Sequence, residues 1–200
     1  MNIFLDGTEI TQLRDFKNST VKEVYTFLYD MCLKENKTIK QVLVDGKELK
    51  AEDIDSFFKK NIEEMGQIEF FSITGESILN NLCALGNSFI LISKEFENIS
   101  IILNEGKDDK ALSIIQEFSI MLHNLYIYYG FFDIAGIPAT HLFEGKTIAN
   151  YQAEISPLLN DIVNAFAQKD TVAVSDIAEY ELAPITLSLG KGLVALIELR

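Results

Sequence analysis

Two hundred residues, 48% of them apolar, supply enough material for one large core or two small ones and so exclude a disordered chain. Acidic side chains outnumber basic ones 30 to 17, and the net charge of −13 disfavours nucleic acid and anionic membrane surfaces as partners. The two cysteines, Cys32 and Cys83, are isolated in apolar helical contexts and read as buried, reduced thiols rather than a disulfide framework.

The chain starts Met1-Asn2-Ile3-Phe4-Leu5-Asp6, with no basic stretch leading into a long apolar run, so no signal peptide is expected. Its apolar stretches are interrupted by Asn, Asp, Glu or Lys short of the ~20 residues a membrane helix needs. A cytoplasmic protein without membrane contact is the expectation.

The hydrophobic rhythm changes once, near Thr74, and predicts two domains, residues 1–74 and 75–200. In the first, residues 2–5 read as a strand. Asp6-Gly7 follows, a dipeptide that favours a tight hairpin because both residues tolerate positive φ. A second strand is expected from Thr8 to Leu13. Thr20-Val21-Lys22-Glu23 matches a capping box, in which hydroxyl and carboxylate satisfy free helix N–H groups reciprocally. Behind it Val21, Val24, Tyr25, Leu28 and Met31-Cys32 recur at helical spacing, and the helix should end between Lys34 and Asn36. Ile39 to Val44 alternates as a strand, Asp45-Gly46 turns the chain again, Glu52 to Phe58 reads as a short helix, and Gln67 to Ile73 as a final strand.

This order, with two Asp-Gly turns and a capping box in place, resembles the β-grasp, or ubiquitin-like, fold over residues 1–74. The resemblance implies a structural or binding module. The free C-terminal Gly-Gly of ubiquitin and the sulfur carriers has no counterpart, since Ile73-Thr74-Gly75-Glu76 runs on into a helix. The clustered cysteines of the ferredoxins of this fold are also missing, so neither chemistry carries over.

In the second domain Ile78, Leu82, Leu85, Phe89, Ile92, Phe96, Ile99 and Leu103 step by three and four, predicting one helix from Glu76 to Asn104. Glu105-Gly106-Lys107 interrupts it. Asp108 is the expected N-cap of a helix from Asp109 to Tyr129, which Gly130 can end. A third helix should run from Thr147 or Ile148 to Gln168, broken or kinked at Ser156-Pro157, and a fourth should begin after Asp170 and pass a second kink at Pro184. Short connections favour antiparallel neighbours and hence a four-helix bundle in an α+β protein. Residues 107–118 also align without gaps to residues 169–180, sharing Lys, Asp, Ala, Ser, Ile and Glu at matching positions, so two related helical hairpins about a pseudo-twofold axis are expected. The turn pattern around residues 100–125 and 160–182 is loosely similar to bacterial helical-bundle export chaperones such as those for flagellin. No functional residue is carried over from that family.

Chemistry has few candidates. Gly145-Lys146-Thr147 mimics the end of a phosphate-binding loop, but Thr140 stands where the first glycine is required, and the start of a helix explains the segment better. His123 and His141 are the only histidines and lack companions for a zinc site. Glu179 and Glu181 flank Tyr180 and point apart on a helix, as a solvated face would. No catalytic residue, cofactor or metal is assigned.

Between Leu125 and Pro138, five aromatic residues occupy seven positions: Tyr126, Tyr128, Tyr129, Phe131 and Phe132. One helix face cannot bury them all, so they are the candidate partner-binding residues, against the alternative of a plug inside the bundle end. The expected function is a non-catalytic protein-binding adaptor, assembly factor or chaperone-like protein of bacterial type, its acidity steering a basic partner. A small-molecule carrier with His123 or Tyr126 in an apolar pocket, an enzyme with a site at the domain junction, and a homodimer are the alternatives.

Overall fold

The computed structural model describes residues 2–11, 16 and 18–199 and falls into two compact units, Met1–Gly75 and Glu76–Arg200. In the first, strands β1 (Asn2–Leu5) and β2 (Thr8–Glu9) form a hairpin, and helix α1 (Val21–Lys34) leads to β3 (Lys37–Val44) and β4 (Lys47–Glu48). Helix α2 (Ile54–Phe58) and strand β5 (Gln67–Thr74) complete the unit. The sheet order is β2-β1-β5-β3-β4, with β1 parallel to β5 and the other pairs antiparallel. The second strand is shorter than Thr8 to Leu13, and residues 12 and 13 of that expectation lie outside the described residues.

Local sequence sets these elements. Thr20 and Glu23 form the capping box that starts α1, and Asn36, at φ 54°, turns the chain out of it. Val21, Val24, Leu28 and Cys32 on its inner face meet Ile3, Ile39, Ile68 and Phe70 of the sheet and Phe57 and Ile62 of the connection. Each such apolar side chain contributes about 1.5–3 kcal/mol by leaving water. Both Asp-Gly turns have positive φ at both residues, and each Asp does a second job. The Asp6 carboxylate accepts from the Ser72 N–H (2.7 Å) and hydroxyl (2.6 Å), and Asp45 Oδ1 accepts from the Gln67 N–H (2.8 Å). The two turns thus hold opposite ends of the central strand β5.

The second unit is helical: α3 (Gly75–Phe96), α4 (Ile99–Asn104), α5 (Asp108–Tyr129), α6 (Ile148–Ala167), α7 (Thr171–Asp176), a π-helical segment Ile177–Leu182, and α8 (Ala183–Val194). The single helix expected over Glu76 to Asn104 is two, because the Asn98 side-chain amide donates to the Lys94 carbonyl (2.6 Å) while its backbone N–H turns to Glu95 (3.1 Å). The apolar spacing crosses this break undisturbed: Phe96, Ile99 and Leu103 are all buried. Asp108 is not the cap of α5; Lys107 holds that position without a side-chain capping bond, and Asp108 and Asp109 lie in the first turn, where the helix dipole favours them. Asp170 does cap α7, accepting from the Ala173 N–H at 3.0 Å. Helix α6 continues through Pro157 rather than breaking there.

Thr171–Ile197 is one helical stretch long and apolar enough to cross a membrane by length and composition, and half of its apolar 18-residue window is buried inside the fold. Its π segment ends just before Pro184, which has no N–H to continue either register. Helices α3 and α8 cross at two glycines: a Cβ on Gly190 would lie 2.8 Å from the Gly86 carbonyl oxygen, and the converse contact is equally close. The repeated twelve residues do not pack alike. Phe118 is fully buried with its ring edge on Phe89 and Phe96, whereas its counterpart Tyr180 is 73% exposed.

Candidate functional site

Helix α5 delivers the aromatic segment to one end of the second unit. Its buried stripe ends at Met121, Leu122 and Leu125, after which the chain leaves the helix in successive tight turns that close with the Ile137 N–H on the Phe132 carbonyl (2.9 Å). Phe132 is only 3% exposed, so its expected role as a direct partner anchor is corrected: it belongs to the interior. Its ring meets Tyr129 edge-on at 5.1 Å and Phe143 at 5.9 Å. Tyr126, Tyr128, Tyr129 and Phe131 remain half-buried, beside the exposed Ile127. Burial raises the Tyr126 phenol above its ordinary pKa.

Phe143 joins this aromatic corner to the helices. It is buried, it takes the ring edge of His141 at 4.8 Å, and it packs where a Cβ on Gly192 of α8 would stand, 2.6 Å from the Phe143 Cβ. Glu144 and Gly145, both at positive φ, form the tip of a two-residue turn that bridges Phe143 to Lys146. Thr147 then caps α6 through reciprocal bonds with Asn150. Gly145-Lys146-Thr147 is therefore a turn and a cap, and Lys146 pairs with Glu154, about two turns into the helix.

The fully buried Tyr151 links the corner to a cleft. Its hydroxyl donates to the Phe143 carbonyl at 2.9 Å and shares a hydrogen bond with Ser188 Oγ at 2.8 Å. Burial, the largest influence, raises its phenol pKa, against smaller lowering by Ser188 and Lys146. Ser188 stands on the wall of an open cleft of ≈ 530 Å³ between α6 and the π segment with α8. Pro157, Leu158, Pro184 and Ile185 give it apolar walls, and Lys146, Glu154 and Glu181 its charged rim.

Other sequence expectations land elsewhere. His123 is exposed on α5. Glu179 is not part of a solvated face: its carboxylate accepts from the Ser100 N–H at 3.1 Å, at the start of α4. Among the described residues no group of three or more His, Cys, Asp or Glu could hold a metal ion. Sequence reasoning missed the cleft. Its signal was that two of the chain's three prolines fall inside helical patterns, though spacing alone does not show that they face one another.

The chain belongs to the family described as domain of unknown function DUF8042, whose model matches residues 87–191 and so takes in both the aromatic corner and the cleft. Residues 1–74 match a second model, described as the TP0873 N-terminal domain. An uncharacterized protein of Treponema pallidum (strain Nichols) is 29% identical over 194 residues, covering 97% of this chain and 96% of that relative. No solved structure matches.

Proposed function

We propose that the protein is a non-catalytic, cytoplasmic adaptor, assembly factor or chaperone-like protein that binds another protein through the aromatic corner of its second unit. The observation that carries this reading is the division of labour within the corner. Phe132 and Phe143 fill the interior, while Tyr126, Tyr128, Tyr129 and Phe131 are only half-buried. Half-buried aromatic side chains lose little entropy on binding and bring large apolar area to an interface. The net charge of −13 favours a basic partner by steering encounter.

Both scaffolds suit recognition. The order β2-β1-β5-β3-β4 with its parallel central pair supports reading the first unit as a β-grasp domain. The long rods α3, α5, α6 and α7–α8 support reading the second as a four-helix bundle, a form it would share with helical export chaperones. The test is affinity capture from lysate of the source cell with the intact chain and with Tyr128→Asp plus Phe131→Asp. We expect a partner retained by the parent and lost by the double variant, with helicity and melting unchanged. Equal retention by both would contradict the reading.

A further inference from the structure

The cleft between α6 and α8 is short of hydrogen-bond donors, and that shortage defines what fits it. The Lys146 ammonium is already committed to Glu154, and the Ser188 hydroxyl to Tyr151. Acceptors are in excess. Glu181 stands on the rim without a hydrogen bond or ion pair among the described residues. Pro157 adds to this imbalance, because it has no N–H to give the carbonyl of Ala153, a residue of the cleft wall.

We propose that this cleft is a docking site for an arginine side chain of a protein partner. The methylene stem lies along Pro157, Leu158, Pro184 and Ile185, and the guanidinium meets Glu181, with Glu154 on the opposite rim. A guanidinium supplies five donors and no acceptor, which complements the unpaired Glu181 carboxylate and the Ala153 backbone beside it. An apolar peptide would leave Glu181 facing it unpaired, and an acidic one would be repelled. The site deepens the protein-binding reading and rests on it only for the source of the arginine.

The probe is acetyl-Leu-Arg-Leu-amide, titrated into the full-length, isotope-labelled chain and followed by amide NMR shifts. Its control is the same peptide with citrulline, which keeps the shape and removes the charge. We expect saturable shifts confined to residues 146–158 and 179–188, lost with the citrulline peptide. Glu181→Gln, an exposed change that leaves the fold intact, should weaken binding by about three- to tenfold. The Tyr128→Asp plus Phe131→Asp variant should bind the peptide as the parent does. That separates failure of the cleft from failure of the aromatic corner. Absence of shifts in the cleft, equal binding of the citrulline peptide, or indifference to Glu181→Gln would each overturn the proposal.

Discussion

Asp6 and Asp45 each turn the chain at a positive φ and then hold β5 with the same side chain. Replacing Asp45 by Ala removes the acceptor for Gln67 and strains the turn. It should therefore cost about 1–2 kcal/mol in urea unfolding, while Asp45→Asn, which keeps an acceptor and tolerates the conformation, should cost about half a kcal/mol or less. The turn was legible in the dipeptide. The clasp was not, because its partner lies 22 residues away for Asp45 and 66 for Asp6. Glu179 makes the same point: its charge reads as a solvated face, yet its acceptor role depends on Ser100, 79 residues distant. Thr186 presents the opposite situation, a fully buried Oγ1 with no hydrogen-bond partner among the described residues. Thr186→Val keeps the shape and removes the unsatisfied hydroxyl. The melting temperature should stay level or rise, and a fall would show that the hydroxyl is bonded in solution.

Elements are legible in the sequence where local signals and periodicity agree, and hidden where a side chain diverts one backbone bond. Caps at Thr20, Thr147 and Asp170 are visible in sequence because the capping residue lies within three positions of its partner. The break at Asn98 is invisible to apolar spacing because the buried stripe continues across it. Helix crossing is likewise hidden: nothing in the sequence pairs Gly86 with Gly190. A Cβ on Gly190 would meet backbone atoms of α3, which cannot move cheaply, so Gly190→Ala should destabilise by about 1–3 kcal/mol in denaturant unfolding. Tyr151 ties α6 to α8 and gives a pH signature. Its raised folded pKa makes its contribution fully present below the unfolded value near 10 and lost as pH rises through the folded value. Alkaline unfolding should therefore weaken in Tyr151→Phe, at the cost of about 1 kcal/mol at neutral pH. An unchanged alkaline profile would remove Tyr151 from that role.

The whole molecule comprises a five-stranded sheet unit and a helical unit, and its functional surface, on our account, belongs to the second. The change of hydrophobic rhythm near Thr74 reveals two classes of structure, since strand and helix periods differ. The aromatic excess after Leu125 likewise marks the corner in the sequence. Which of those rings turn inward depended on Phe143 and Gly192, which contribute from the connection and from α8. The most direct measurement places a photo-crosslinking phenylalanine analogue at Phe131, with the same analogue at the exposed Val172 as control, and identifies the products from irradiated cells by mass spectrometry. The account predicts a crosslink from position 131 to one other protein and none to that protein from 172. Crosslinks from 131 only within the chain itself would contradict it and leave the aromatic corner as an internal plug.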